Sequence, residues 1–313
     1  MKLILLSASD QLASHQGLRA AAELTRADVV VRAIGNDHFE ILDTRTGVMQ
    51  RTESSVWNVL VELNAREPQS SNGVIALPTL TSSSSLAARV DAELSNSTVM
   101  TCGIAVDPNW IEDQLWDTTD EQHQFLNTEL DFVDTVFLAS SEIWSPSGTA
   151  RERGIDLIST LSPHARRITC PSQQRRICGN ASRLGSHNLG DALHRVSAAL
   201  GENVHTGRFQ TVVLHHELPL PSEQFYRYLP ELAAGSVRIR GQLWLDSHLT
   251  DRLHVQGCGP QVWVENRGPW HPVEELAYTE VSFTGENLDT GLLERFLPST
   301  HAPISHITEE GTL

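Results

Sequence analysis

The string His215-His216-Glu217 sets three metal-competent side chains at consecutive positions. Imidazole nitrogens and carboxylate oxygens are ordinary donors to zinc and its neighbours. The run Phe209–Leu214 just before them reads as a strand, and on a strand alternate side chains share a face. His215 and Glu217 are therefore expected together, with His216 opposite. Two donors leave a tetrahedral ion in need of partners from elsewhere, and a solvated pair on an edge strand is the competing reading.

Two charged groups come next. Asp113, Asp117 and Glu121 recur at i, i+4 and i+8, with His123 nearby, so one helix face offers carboxylates to a hard cation or a basic protein partner. A solvated face explains the same spacing. Arg166-Arg167 and Arg175-Arg176 flank Cys170-Pro171 and offer cations to RNA phosphates. No aromatic residue interleaves them, so a base-stacking platform is not expected, and pairing with nearby acids competes.

Other chemistry is poorly supported. Cys102, Cys170, Cys178 and Cys258 form no C-x-x-C pair, so the expectation is reduced, buried thiols rather than a zinc knuckle or a disulfide framework. No serine sits in a nucleophile elbow. A net charge of −16 argues against wrapping nucleic acid, and sequence-specific DNA binding is not expected. The charge is unevenly spread: twelve acids and no basic residue lie between Arg89 and Arg151, then eight arginines from Arg151 to Arg195. No apolar run reaches the roughly 18–20 residues of a membrane span, and the opening Met1–Leu6 is shorter than a signal peptide, so a cytoplasmic location is expected.

The elements that must position these residues alternate through the first two hundred positions. Strands are expected at Leu3–Leu6, Val29–Val31, His38–Leu42, Val74–Leu77, Val99–Val106 and Val133–Leu138. Helices are expected around Leu18–Leu24, Trp57–Asn64, Leu86–Leu94 and Ile155–Ile158, with one opening at Pro108 in the first turn. Such β-α alternation predicts a mainly parallel sheet covered by helices on both faces. After Gly201–Gly207 the strands Phe209–Leu214, Val237–Leu245, Leu253–Val255, Val262–Val264 and Thr279–Phe283 follow at short intervals. Helices at Ser222–Leu232 and near Leu288–Phe296 accompany them. That texture predicts an antiparallel α+β domain, with Phe225, Trp244 and Trp263 in its core.

Arg238-Ile239-Arg240-Gly241-Gln242-Leu243-Trp244-Leu245 resembles the R-x-[KR]-G-x-x-W strand of the CobW-like metallochaperone GTPases. Pro219–Phe225 and Gly268-Pro269-Trp270 fall where that family has P-F-H-P-x-R-F and G-x-W. In the first half, Phe132–Leu138 followed by Leu161-Ser162-Pro163-His164-Ala165 is similar to its strand and L-N-P-x-A stretch. The resemblance implies a degenerate P-loop-type, mainly parallel α/β domain over residues 1–203. A small α+β CobW C-terminal-like domain over 204–298 and a flexible tail over 299–313 complete it. Arg238, Arg240, Gly241 and Trp244 are then structural motif residues.

The departures concern chemistry. Ser7-Ala8-Ser9-Asp10-Gln11-Leu12-Ala13-Ser14 stands where the family has G-x-x-G-x-G-K-[ST]. It has neither the glycines that curl backbone N–H groups round a phosphate nor the lysine that neutralises it. Ala139-Ser140-Ser141-Glu142 replaces the base-reading N-K-x-D, and Leu77-Pro78-Thr79-Leu80 replaces E-T-S-G. Gly47–Trp57 holds no counterpart of C-x-C-C, and Pro221 replaces the histidine of P-F-H-P. Lys2 is the only lysine, so neither nucleotide motif can have one; arginine elsewhere also suits a GC-rich coding background. The Arg240–Leu245 form fits the actinobacterial branch resembling ribosome hibernation factor-recruiting proteins, although that branch tends to keep a cysteine cluster.

The resemblance thus implies a non-hydrolysing adaptor in zinc homeostasis, recruiting a hibernation factor to the small ribosomal subunit under zinc limitation. The alternative is a zinc-binding metallochaperone or insertase working without GTP. Catalytic and cofactor-binding residues are not expected; GTP is not expected, zinc is admitted, and the partners would be proteins.

Overall fold

The structure is a computed structural model and describes residues 1–116, 122–140, 148–170, 184–197, 204–259, 261–270, 277–289 and 291. The chain forms two units, Met1–Val196 and Ser197–Leu313.

The first half opens with β1 (Lys2–Ala8), α1 (Gln11–Thr25), β2 (Val29–Ala33), β3 (His38–Asp43), β4 (Val48–Glu53), α2 (Val56–Arg66) and β5 (Asn72–Ala76). It continues through α3 (Ser83–Glu93), β6 (Thr98–Val106), α4 (Ile111–Trp116), α5 (Gln122–Phe132), β7 (Thr135–Leu138), α6 (Gly148–Leu161), β8 (Arg166–Thr169) and α7 (Leu189–Ser197). The sheet order is β4-β3-β2-β5-β1-β6-β7-β8. From β2 to β8 every neighbouring pair is parallel, while β2, β3 and β4 form an antiparallel meander at one edge.

Parallel strands need cover on both faces, and β1 supplies apolar side chains to both. Ile4, Leu6 and Ala8 join Ala13, Leu18, Ala20 and Ala21 of α1 in one core. The opposite face is met by α3 against β1 and β6, and by α5 against β6. The small residues of α1 are what bring this helix close: a Cβ on Gly17 would stand 2.6 Å from Ala105 Cβ.

Three local readings change. Strand β4 has no apolar alternation because its side chains are nearly all exposed, so periodicity could not reveal it. Arg166 and Arg167 lie on an edge strand, β8, that no apolar run in the sequence marks. Asp107 Oδ1 accepts from Asn109 N at 3.0 Å, so Pro108 sits in an Asx turn ahead of α4 rather than in its first turn.

The second unit holds β9 (Val204–Thr206), β10 (Phe209–His216), α8 (Ser222–Gly235), β11 (Arg238–Leu243), β12 (Asp251–Cys258), β13 (Gln261–Pro269) and β14 (Thr279–Gly285). Its sheet, β13-β12-β11-β14-β10-β9, is antiparallel throughout. One face presents Leu214, Ile239, Leu243, Val255, Val281 and Phe283 to Phe225 and Leu232 of α8. The residue before α8, Pro221, has no side chain able to cap it; Asp246 takes that role, with Oδ1 accepting from Ser222 N at 3.0 Å.

Phe225 is a core residue as expected, 2% exposed. The two tryptophans are not. Alternation puts Trp244 on the polar face, half-buried, with Nε1 donating to Leu249 O at 3.1 Å; Trp263 is half-buried too. Gly241 has φ +147° and passes so close to β14 that a Cβ would lie 2.1 Å from Glu280 O. That backbone approach explains why the motif carries glycine. The expected helix near Leu288–Phe296 lies almost wholly outside the described residues.

Candidate functional site

The connection from β1 to α1 is two residues, Ser9 and Asp10, at the carboxyl ends of the parallel strands. Asp10 is the N-cap of α1: its Oδ1 accepts from Ala13 N at 2.8 Å, and its Oδ2 from Ser9 Oγ at 3.1 Å. A helix N-terminus attracts anions through its free N–H groups and dipole. Here the chain's own carboxylate occupies that place. The cavity alongside, lined by Gln11, Ser14, Arg32 and Leu77–Thr79 among others, measures about 70 Å³. Across the carboxyl edge, Gln16 Nε2 donates to Ser140 O at 2.7 Å and Gln16 Oε1 accepts from Ser140 N at 2.9 Å. Residue 140 of the segment Ala139–Glu142 is thereby stitched to α1, while 141 and 142 lie outside the described residues.

In the second unit His215 and Glu217 come together on one side, with Nε2 and Oε1 4.0 Å apart, and His215 Nδ1 lies 3.5 Å from Glu280 Oε2. His215, Glu280, Gln242, His254 and Glu265 form one row across four strand pairings, so their side chains share a face. His216 points the other way, 5% exposed, toward the face that carries Leu214 and Val281. Burial, and then neighbouring His215, hold its pKa below the usual histidine range, with Glu217 opposing. The structure therefore joins two members of the string and separates the third. Arg238 and Arg240 occupy the polar face of β11, each 3% exposed; Arg238 Nη1 donates to Gly257 O at 3.2 Å.

Among the described residues, three arginines of the basic segment meet acids of the acidic one. Arg153 Nε and Nη2 hold Glu112 at 2.6 and 2.8 Å, Arg151 Nη1 lies 3.9 Å from Asp107, and Arg195 reaches Asp134. Asp113 is exposed on α4; Asp117 and Glu121 lie outside the described residues, and His123 is buried on α5. Arg166 and Arg167 are exposed on β8, whereas Arg175 and Arg176 lie outside the described residues.

A further cluster has no motif in the sequence to mark it. Cys102 of β6, Asp134 just ahead of β7 and His187 ahead of α7 converge, their donor atoms all within 4.8 Å of one another. Backbone bonds hold the three together: Asp134 N donates to Cys102 O and His187 N to Met100 O, both at 2.9 Å. Gly185 packs so tightly that a Cβ there would lie 2.1 Å from Asp134 O. His187 Nδ1 is 2.7 Å from Asp134 Oδ2, and Cys102 Sγ is 3.9 Å from His187 Nε2. Asp134 also accepts from Cys102 N at 3.0 Å and from Arg195 Nη2 at 3.2 Å. Burial, with Asp134 and Glu129 adding to it, pushes the Cys102 thiol well above its ordinary pKa.

Glu129 lies on the same side, fully buried, and caps α3 from outside that helix. Its Oε1 accepts from Ser83 N at 2.5 Å and from Ser83 Oγ at 2.9 Å, and Ser82 Oγ donates to it at 3.0 Å. Burial pushes its pKa up to about 7 against these hydrogen bonds. The three cysteines described, Cys102, Cys170 and Cys258, are buried thiols outside any disulfide, as expected; Cys178 lies outside the described residues. No helix among the described residues is long and apolar enough to cross a membrane.

Residues 209–300 match the family described as "Cobalamin synthesis protein cobW C-terminal domain". The match spans β10 to β14 and α8, the part in which the R-x-R-G-x-x-W pattern lies. No curated protein matches the chain in sequence. Among solved structures, the Zn(II)-bound YjiA GTPase from E. coli is similar at 16% identity, over 95% of this chain and 98% of that one, with a TM-score of 0.38. A Zn(II)-bound triple mutant of YjiA gives the same figures.

Proposed function

We propose that this is a CobW-like protein of metal homeostasis that acts through protein contacts and does not hydrolyse GTP. The observation that carries the reading is the Asp10 carboxylate seated on the first turn of α1, where it accepts from Ala13 N. A phosphate bound there would meet a fixed negative charge at short range instead of free N–H donors. The adjoining cavity supports the same reading, since about 70 Å³ is well below the roughly 300–1,000 Å³ of small-molecule sites. The second unit, matched to the cobW C-terminal family, supplies the link to metal handling.

GTP turnover by the purified protein tests this. Release of phosphate at the rate of a buffer control is expected. Turnover above that control, abolished by replacing residues of Ser7–Ser14, would overturn the proposal. The partner we propose is a ribosome-associated hibernation factor or the small ribosomal subunit. Pull-downs from zinc-depleted and zinc-replete cells, scored for small-subunit proteins, check that part directly. Equal recovery from both, or none, refutes it.

A second reading, zinc binding without GTP, is favoured by one observation of its own: the convergence of Cys102, Asp134 and His187. Elemental analysis of protein purified without chelator separates the two, because an adaptor alone carries no stoichiometric metal.

A further inference from the structure

We infer that a cavity at the amino ends of β1, β5 and β6 binds a small amphipathic monocarboxylate, with the apolar chain inside and the carboxylate on Lys2. The site lies at the opposite end of the strands from Asp10 and is independent of both readings above.

The cavity measures about 350 Å³, against about 70 Å³ beside Asp10. That volume falls within the roughly 300–1,000 Å³ of sites that take small molecules. Its inner wall is apolar. Leu24, near the end of α1, and Leu184 pack on the core cluster that holds Ile4 but are themselves only partly buried, and all three line the cavity. Met100 stands at the rim. It is the extra residue of β6 against β1, since Leu3 pairs with Val99 and Ile4 with Thr101. An inserted residue of this kind re-aims its side chain, and Met100 is 42% exposed.

The polar groups of the wall are already bonded to one another. Thr101 Oγ1 donates to Gly185 O at 2.6 Å, Asn72 Nδ2 to Thr25 O at 3.2 Å and Thr25 Oγ1 to Ala21 O at 2.7 Å. Gly185 N donates to Thr135 Oγ1 at 3.0 Å and His187 N to Met100 O at 2.9 Å, which fixes the segment around Gly185 against β6 and β7. A wall ordered in this way costs little further entropy when a ligand enters.

Lys2 differs from these groups. Alternation along β1 puts it on the side of Ile4 and α1, where the cavity lies. Among the lining residues named it alone carries a charge, and no carboxylate among the described residues pairs with its exposed side chain. Asp28 Oδ2 accepts instead from Asn72 N at 2.8 Å. The apolar stem of a lysine covers apolar surface while its ammonium stays in water at the mouth. A carboxylate complements that cation, a neutral head group gains nothing from it, and an amine is repelled.

Calorimetric titration of the full chain with octanoate tests this, with octanol and octylamine as the neutral and cationic counterparts. One octanoate per chain is expected, bound more tightly than octanol, with octylamine weakest. Lys2→Gln should weaken octanoate about threefold and leave octanol unchanged, whereas Met100→Trp, which crowds the mouth, should weaken both by about tenfold. Both side chains are exposed, so neither substitution enters the core. Failure to bind octanoate, or octylamine binding as tightly as octanoate, would overturn the proposal. Octanoate binding that either substitution leaves unchanged would overturn it as well.

Discussion

His187 Nδ1 lies 2.7 Å from Asp134 Oδ2, and this contact fastens the segment around Gly185 to the amino end of β7. The same carboxylate receives Cys102 N and Arg195 Nη2, so one buried acid ties together β6, β7, the loop before α7 and α7 itself. The ring of Phe132, 5.4 Å from that of His187, packs against the group from α5.

Replacing Asp134 with alanine leaves buried donors without their acceptor. A loss of about 3 kcal/mol is expected, as for other buried pairs broken on one side. Urea unfolding of the variant against the parent measures it. A loss below about 1 kcal/mol would show that this carboxylate does not organise the region.

Glu129 makes stability depend on pH. Its folded pKa of about 7 lies above the ordinary value of 4.5, so between these values the folded protein binds more protons than the unfolded chain. Its contribution is therefore full below about pH 4.5 and is lost as pH rises through about 7, on the order of 3 kcal/mol across the window. Glu129→Gln should flatten the curve of urea midpoint against pH in that range. An unchanged slope would assign the dependence to other groups.

Asp10 acts as a cap. Asp10→Ala should cost about 1 kcal/mol, and Asp10→Ser, which keeps an acceptor, about 0.5 kcal/mol or less. Neither should gain affinity for a fluorescent guanine nucleotide, since no lysine or glycine cradle appears with the substitution. Tight nucleotide binding by Asp10→Ala would mean that the carboxylate was the sole obstacle.

Gly241 tests the motif strand. Alanine there must fit at φ +147° with its Cβ 2.1 Å from Glu280 O, so β11 and β14 must part. A loss of more than about 3 kcal/mol is expected, seen as unfolding of the second unit at lower urea or as insoluble expression. A variant as stable as the parent would show that the strands tolerate a side chain.

The sheets were legible because burial leaves a simple trace. Leu3–Leu6, Val74–Leu77 and Val99–Val106 are apolar because helices cover both faces, and strands lie there. Alternation carried on from the strand expected at Phe209–Leu214 sets His215 and His216 on opposite faces, and the β10–β14 register agrees. Strand β4 and the Arg166–Thr169 edge left no such trace, because exposed strands need no apolar period. Trp244 was misplaced in the core because its ring covers apolar surface while its N–H needs a carbonyl, found at Leu249.

The sequence by itself determined the mainly parallel and antiparallel sheets and that Lys2 is the one lysine of the chain, since these depend on local residue type and period. Only tertiary structure decided that Asp10 fills the anion seat of α1, because that depends on where the helix begins. Only tertiary structure, likewise, brought Cys102, Asp134 and His187 together: they lie far apart in sequence, and the packing of β6 beside β7 brings them close.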